Sequence, residues 1–134
     1  MPGVLVDSNV LLDVFTEDPE WQEWSDAMLA ELARSRELVI NPIIFSEVAA
    51  HFDSAEELEE ALPTDWLKRR ALPWEAAFLA GRCFVLYRRR GGARRSPLPD
   101  FYIGAHAAVA GLTLLTRNAR RYKTYFPKLE IIAP

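Results

Sequence analysis

The sequence predicts an α/β fold, with a mainly parallel sheet of about four strands covered by helices on both faces. Short apolar runs of three or four residues alternate along the chain with longer segments of helical spacing. Such alternation, with short connections, is typical of parallel strands joined by crossover helices. Half of the 134 residues are hydrophobic. That is enough for one core, so residues 1–134 are expected to form a single domain.

Capping residues set the elements of the N-terminal half. The first apolar run ends at Asp7, which begins an Asp-Ser pair able to cap a helix. Pro19 opens a second helix, whose apolar residues face either the core or a second subunit. The next apolar run ends at Asn41-Pro42, and Ser54 begins a capping-box pattern. We therefore predict strands over 4–6 and 38–40, and helices over 9–15, 20–35, 42–52 and 55–61.

Proline and glycine set the boundaries of the C-terminal half. Pro63 and Pro73 bracket a basic stretch that we interpret as a connector. The helix that follows stops at Gly91-Gly92, and Pro99 opens another helix, rich in alanine and glycine. A basic, aromatic turn region precedes the final strand. We therefore predict helices over 74–90 and 99–111, and strands over 112–115 and 129–132.

Charge is distributed unevenly along the chain. Residues 1–65 hold 16 acidic and 2 basic residues, whereas residues 66–134 hold 3 acidic and 14 basic residues. The basic half could meet a phosphate backbone or an acidic partner. Alternatively, the folded chain interleaves the two halves and neutralises them.

The sequence shows no sign of a membrane or secreted protein. No apolar run approaches the roughly 20 residues that span a bilayer, and the N-terminus lacks the basic and apolar regions of a signal peptide. The single cysteine, Cys83, has no disulfide partner within the chain and is expected to be a buried thiol. We therefore expect a cytoplasmic protein.

Three carboxylates occupy positions where a solvated surface acid is not expected. Asp7 follows a buried strand, Glu47 lies in a helix that is apolar on nearly all sides, and Asp100 lies in the first turn of a helix. Each has an ordinary alternative: Asp7 as a helix cap, Glu47 as the partner of an arginine, and Asp100 as an acid favoured by the helix dipole. If the three converge, they repel one another unless a hard cation such as Mg²⁺ lies between them. Such a site supports phosphodiester hydrolysis.

Four short motifs along the chain resemble those of a known family. The opening Val6-Asp7-Ser8-Asn9 sequence, the Ser46-Glu47-Val48 sequence, the Leu98-Pro99-Asp100-Phe101 sequence and the closing Thr116-Arg117-Asn118 sequence resemble, in order, the motifs of PIN domains. The resemblance covers essentially the whole chain and is strongest to VapC-type toxins of bacterial toxin–antitoxin pairs.

The resemblance implies a PIN-like three-layer α/β/α sandwich with metal-dependent endoribonuclease activity. It implies that Asp7, Glu47 and Asp100 bind Mg²⁺ or Mn²⁺, and that Asn9 and Thr116 orient these ligands. It also implies an RNA substrate such as tRNA or another structured RNA, a cognate antitoxin protein, and a homodimer.

One residue departs from the family pattern. The closing motif usually carries an aspartate where this chain has Asn118. Asparagine keeps an oxygen that can accept a hydrogen bond or bind a metal, but it lacks the negative charge. Asn118 is therefore a candidate catalytic residue. It also leaves open an alternative function, a degenerate PIN domain that binds RNA or a protein partner with little or no cleavage.

Two arginine clusters are candidates for contact with RNA phosphates or with the antitoxin. One includes Arg94 and Arg95 in the loop after the longest helix, and the other begins at Arg117. Arginine suits bidentate phosphate contacts, and Tyr122 or Tyr125 could stack on an unpaired base. A solvated basic surface is the ordinary alternative.

Overall fold

The structure is a computed structural model that describes residues 2–134, and in this range it contains five strands and seven helices. No helix in this range is both long enough and apolar enough to span a bilayer. In chain order the elements are β1 (Val4–Val6), α1 (Ser8–Phe15), α2 (Gln22–Ala33), β2 (Leu38–Ile40), α3 (Pro42–Ala49), α4 (Ala55–Ala61), β3 (Leu67–Arg69), α5 (Trp74–Arg89), α6 (Pro99–Ala110), β4 (Thr113–Leu115), α7 (Arg120–Tyr125) and β5 (Ile131–Ile132).

The five strands form one sheet in the order β3-β2-β1-β4-β5, and every neighbouring pair is parallel. All residues of β1, β2 and β4 are buried. Side chains on both faces of these strands are therefore covered, as expected for a parallel sheet between two layers of helices. This confirms the predicted α/β/α sandwich.

Two elements of the structure were not predicted from the sequence. The stretch 63–73, interpreted as a connector, contains β3, and the basic turn region contains α7. In β3 only Leu67 is buried, because an edge strand carries solvated charged side chains in place of an apolar run. In α7 only Tyr122 is buried, so the segment lacks a periodic apolar face. The sheet consequently has five strands instead of about four.

The binding crevice of such a sheet lies where the strand order reverses. After β1 the chain moves outward to β2 and β3, then returns to pair β4 with the other side of β1. The carboxyl ends of β1 and β4 flank this switch point, the usual place for a site in open α/β sheets. Asp7 directly follows β1 and Thr116 directly follows β4.

Helix packing decides one alternative left open by the sequence. In α2, Leu29 is buried, and Trp24, Met28 and Leu32 pack against the core. The apolar residues of α2 therefore face the core of this chain.

The small residues of α6 allow another helix to approach it closely. A Cβ atom at Gly104 would lie 2.3 Å from the Phe126 ring, which directly follows α7. Glycine at this position therefore lets α7 settle against α6, the helix that carries Asp100.

Candidate metal centre

Asp7 is the most buried of the three predicted carboxylates, with 3% of its surface exposed. Its Oδ1 accepts a hydrogen bond from the backbone N–H of Ser8 at 2.8 Å, so Asp7 does cap α1. Its Oδ2 accepts from the Thr116 hydroxyl at 2.9 Å and from the Tyr122 hydroxyl at 2.8 Å. Three donors from separate parts of the chain therefore fix this carboxylate at the switch point.

Asp100 enters the same site from the first turn of α6. The Tyr122 hydroxyl lies 3.2 Å from its Oδ1, and Arg121 Nη1 lies 3.2 Å from its Oδ2. The phenol of Tyr122 thus stands between Asp7 and Asp100, within hydrogen-bond distance of both. Two consecutive residues of α7 hold the two oxygens of Asp100.

Glu47 reaches the site from α3. Its Oε1 accepts from the Ser8 hydroxyl at 3.0 Å, and the same hydroxyl lies 3.5 Å from Asp7 Oδ1. Within the described part of the chain, Glu47 forms no ion pair with an arginine. The alternative that explained its carboxylate by an arginine partner is therefore wrong.

A buried polar contact joins the helices that carry Glu47 and Asp100. Asn41 caps α3 by accepting from the backbone N–H of Ile44 at 2.9 Å. Its amide nitrogen lies 3.0 Å from Nδ1 of His106, which is buried on α6. This pair ties α3 to α6 and helps set the spacing of their carboxylates.

The carboxylates perturb one another. Burial raises the pKa of Asp7, and the nearby charge of Asp100 raises it further, although hydrogen bonds from Tyr122, Thr116 and Ser8 oppose the rise. Burial likewise raises the pKa of Glu47, with smaller contributions from the charges of Asp7 and Asp100. Ionising these groups in the folded protein is therefore unfavourable unless a cation compensates the charge.

The three carboxylates offer oxygen ligands, the type that a hard divalent cation prefers. The three carboxylates form a chain, Glu47 to Asp7 through the Ser8 hydroxyl and Asp7 to Asp100 through the Tyr122 hydroxyl. As placed, no three acid, histidine or cysteine side chains among residues 2–134 are grouped closely enough to hold one ion together. The Ser8 and Tyr122 hydroxyls stand between carboxylate oxygens, and the Arg121 guanidinium contacts Asp100. For one ion to be held by all three carboxylates, their side chains would have to move closer together.

The raised pKa values predict how stability depends on pH. A carboxyl whose pKa is higher in the folded than in the unfolded state stabilises the fold while protonated. That contribution is lost as the pH rises from about 4, the ordinary carboxyl pKa, through the raised value. Without metal, the Asp7 and Glu47 contributions to the free energy of unfolding should therefore decline across this window.

Urea unfolding in chelator at a series of pH values tests this expectation. Asp7→Asn removes one of the two groups, so its stability relative to the wild type should improve as the pH rises. A difference between the two proteins that stays constant with pH would contradict the assignment.

Hydrogen bonds join the segment after β4 to α1. The Thr116 hydroxyl, which donates to Asp7, lies 3.2 Å from the Asn9 amide nitrogen and 3.1 Å from the backbone N–H of Asn118. The Asn9 amide oxygen accepts from the backbone N–H of Arg117 at 3.1 Å. Thr116 contacts the carboxylate directly, whereas Asn9 acts through Thr116.

Arg117 faces inward, in contrast to its predicted contact with RNA or antitoxin. Its Nε and Nη2 donate to the two carboxylate oxygens of Asp13, both at 2.9 Å, and its guanidinium lies over the Trp21 ring. Asp13 is buried and also accepts from the Ser25 hydroxyl at 2.6 Å. The bidentate geometry of Arg117 is therefore already used within the chain, by Asp13.

A groove of about 400 Å³ opens beside Asp100. The exposed Asn118 lies in its wall, and no hydrogen bond from the Asn118 side chain to another described residue is present. The other lining residues are mostly basic or aromatic and come from α5 and α7: Tyr87, Arg120, Arg121, Thr124 and Tyr125.

The arginine loop contacts one lining residue of the groove, Tyr87, through its backbone. The Tyr87 hydroxyl accepts from the backbone N–H of Arg94 at 3.4 Å, and Arg88 donates to the Arg94 carbonyl at 2.9 Å. Arg94 and Arg95 are exposed and form no ion pair with the described residues. No hydrogen bond or ion pair within the described part of the chain engages their guanidinium groups.

The predicted stacking role of Tyr122 is wrong. Its side chain is completely buried, and burial together with the charges of Asp7 and Asp100 raises its pKa, which keeps it a neutral donor. That Tyr122, Ser8 and Arg121 hold the carboxylates was not predicted. The sequence carries no distinctive signal for these contacts, because none of the three residues has an unusual sequence environment before the fold places it beside an acid.

Known proteins share this architecture. A family model described as PIN domain matches residues 4–127. A search of the curated proteins finds no match.

Solved structures share the fold at low sequence identity. A Rickettsia felis VapBC2 structure, bound to a promoter DNA fragment, has a chain that aligns with a TM-score of 0.73, 18% identity and coverage of 98% of both chains. A chain of VapBC-1 from nontypeable Haemophilus influenzae aligns with a TM-score of 0.72, 17% identity and coverage of 97% of this chain and 96% of the other. A toxin–antitoxin complex from Klebsiella pneumoniae gives a TM-score of 0.62, 21% identity and coverage of 97% and 96%.

Proposed function

The chain belongs to the PIN domain family, and from that premise we propose that it is a metal-dependent endoribonuclease. The observation that carries the proposal is the hydroxyl-bridged chain of carboxylates formed by Asp7, Glu47 and Asp100 at the switch point of the sheet. Their mutual repulsion and their burial are costly for a structural site but useful for binding a cation.

Asp7, Glu47 and Asp100 would hold Mg²⁺, with Mn²⁺ as an alternative. When bound, the ion supplies Lewis-acid activation of water and charge stabilisation at the phosphate. The remaining work falls to protein groups. Thr116 and Tyr122 orient Asp7, and Ser8 orients Glu47, as outer hydrogen-bond partners do in metal sites.

RNA phosphates would lie in the groove beside Asp100. Arg120 and Arg121 line it, and the exposed Arg94 contacts its lining residue Tyr87 through the backbone. The ion pair of Arg121 with Asp100 is half exposed and therefore weak. If Asp100 binds a cation, the guanidinium of Arg121 would be free to turn toward a phosphate oxygen in the groove.

We further propose that the chain is the toxin of a toxin–antitoxin pair, with a structured RNA such as tRNA as substrate and a cognate antitoxin as partner. The support is the likeness to chains of VapBC and toxin–antitoxin complexes over almost the full length. Production of the wild-type protein in bacteria should arrest growth, and production of Asp7→Asn should not.

Asn118 favours a second candidate function. It stands in the groove beside Asp100 at a place where a carboxylate would add negative charge to the site. A neutral amide there weakens the attraction for a cation. If the remaining three carboxylates bind metal too weakly, the domain binds RNA or a protein partner without cutting.

Cleavage of total tRNA by the purified protein, with Mg²⁺, Mn²⁺ or chelator, distinguishes the two functions. We expect metal-dependent cleavage by the wild type. Asn118→Asp should lower the metal concentration needed for half-maximal cleavage by about 10-fold, the scale seen when groups around a metal change.

Asn118→Ala serves as the matched control for Asn118→Asp, because it tests loss of the amide without gain of charge. Cleavage by Asn118→Asp alone would favour the binding function for the natural chain. If both proteins fold and neither cleaves, the proposal of a ribonuclease acting on tRNA fails.

A further inference from the structure

Asp100 is the only one of the three carboxylates with a cationic partner among residues 2–134. Its Oδ2 lies 3.2 Å from Nη1 of Arg121, whereas neither Asp7 nor Glu47 forms an ion pair in this range. Both side chains of the pair are partly exposed, Arg121 to 46% and Asp100 to 32%. The carboxylate that lines the groove is therefore neutralised in part by a cation of the chain itself.

The hydroxyl of Tyr122 leaves Asp100 dependent on this cation. It lies 2.8 Å from Asp7 Oδ2 and 3.2 Å from Asp100 Oδ1. A phenol has one proton, so it donates to only one of two ionised carboxylates at a time. The shorter distance assigns the proton to Asp7. Asp100 then faces a phenol oxygen and a neighbouring negative charge, and Arg121 is the group that compensates it.

A divalent ion and the Arg121 guanidinium are alternative partners for Asp100. An ion bound to this carboxylate brings two positive charges next to the guanidinium, and like charges at such short range repel one another. Arg121 and Asp100 line the same groove. Rotation of the long arginine side chain can therefore carry its guanidinium from Asp100 to a phosphate in that groove, which offers the paired oxygens that arginine prefers.

We propose that Arg121 couples RNA binding to metal binding, by pairing with Asp100 in the free protein and with an RNA phosphate in the complex. The inference rests on the proposed function and specifies how its site is filled. In the free protein the guanidinium opposes the cation at Asp100. With a phosphate in the groove, the same guanidinium stabilises the RNA and no longer opposes the cation. Each ligand therefore raises the affinity for the other, by the same factor.

Calorimetric titration of the full chain with Mn²⁺, without nucleic acid, tests the competition at Asp100. Arg121→Gln should bind Mn²⁺ about 10-fold more tightly than the wild type, because a unit positive charge beside the ion is removed. Arg121→Lys keeps the charge and should stay near the wild-type affinity. Arg120→Gln removes an equal charge from the same groove but breaks no ion pair, so it should change the affinity by less than about threefold. Both arginines are exposed, so the variants should keep the wild-type unfolding temperature.

Anisotropy of a fluorescent 2′-O-methyl RNA hairpin, which carries the phosphate backbone but resists cleavage, measures the coupling. At constant ionic strength, Mn²⁺ should raise the affinity of the wild type and of Arg120→Gln for the hairpin about 10-fold. It should raise the affinity of Arg121→Gln by no more than about threefold. An ion that bridges carboxylate and phosphate contributes equally in all three proteins, so the difference isolates Arg121.

Equal Mn²⁺ affinities of the wild type and Arg121→Gln would overturn the proposal. So would a coupling factor that Arg121→Gln leaves at the wild-type value. Either result would leave the proposed function standing, provided that the wild type binds Mn²⁺ and cleaves RNA with it. If neither the wild type nor Arg121→Gln binds Mn²⁺, the metal-dependent function fails and this inference is overturned with it.

Discussion

Asp7→Asn is expected to reduce metal-dependent RNA cleavage by more than about 100-fold, since even the outer partners of a metal ligand contribute 10- to 100-fold. The change keeps the shape of the side chain and removes one charge. Asp7 is the central member of the carboxylate chain, linked to Glu47 through Ser8 and to Asp100 through Tyr122. In the proposed metal site its loss would remove one ligand and one negative charge.

The measurement is the rate of cleavage at saturating Mg²⁺, accompanied by calorimetric titration with Mn²⁺. Asp53→Asn is the matched control: Asp53 is exposed, so the same change of charge there should leave rate and metal affinity unaltered. Asp7→Asn should remain folded, because it relieves repulsion with Asp100. Cleavage by folded Asp7→Asn at the wild-type rate would contradict the assigned role of Asp7.

Arg117→Met is expected to lower the free energy of unfolding by about 3 kcal/mol, the lower end of the cost of breaking a buried ion pair. The variant leaves the buried Asp13 carboxylate with only the Ser25 hydroxyl as a partner. It also releases the segment after β4, whose backbone the Arg117 side chain pins to α1. Metal affinity should fall together with stability, because Thr116 in this segment orients Asp7.

Urea unfolding at neutral pH measures this effect. Arg120→Met, an exposed arginine three residues later, should change stability by less than about 0.5 kcal/mol. Asp13→Leu combined with Arg117→Met should recover most of the loss, because apolar side chains can replace a buried ion pair without leaving a charge unpaired. A loss below about 0.5 kcal/mol for Arg117→Met would mean that solvent, and not Arg117, satisfies Asp13.

The fold was predictable where burial leaves a pattern in the sequence. The strands β1, β2 and β4 are buried on both faces and appear as short runs that are apolar apart from Thr113. The edge strand β3 and the short helix α7 each bury one large side chain, Leu67 and Tyr122, and display charge on the rest. Elements of this kind are stabilised mainly by backbone hydrogen bonds, so their sequences show no periodic pattern of apolar residues from which they could be predicted.

The site was predictable to the extent that a carboxylate in an apolar setting stands out. Asp7 and Glu47 did so, and the structure brings both to the same crevice as Asp100. The hydroxyls that connect them were not predictable, because a serine or tyrosine has no unusual sequence environment until the fold places it beside an acid. The inward position of Arg117 was not predictable either, since its partner Asp13 lies more than 100 positions away in the sequence.

The uneven charge of the two halves has two explanations, and each applies to different residues. Four of the five ion pairs among the described residues join one half to the other, for example Arg69 with Glu59 and Arg70 with Glu37. Three of these four pairs join an acid of residues 1–65 to a base of residues 66–134, and so neutralise the halves in the way the simpler alternative expected. The arginines around the groove have no such partners apart from Arg121, which pairs with Asp100. Basic charge is therefore left where a phosphate backbone would lie.

The most direct test of the metal centre is anomalous scattering from crystals of the protein soaked in Mn²⁺. The account predicts a peak bounded by the carboxylates of Asp7, Glu47 and Asp100, with the Arg121 guanidinium displaced from Asp100. A well-occupied peak elsewhere would contradict it. So would the absence of a peak at this position, if the Mn²⁺ concentration of the soak supports RNA cleavage in solution.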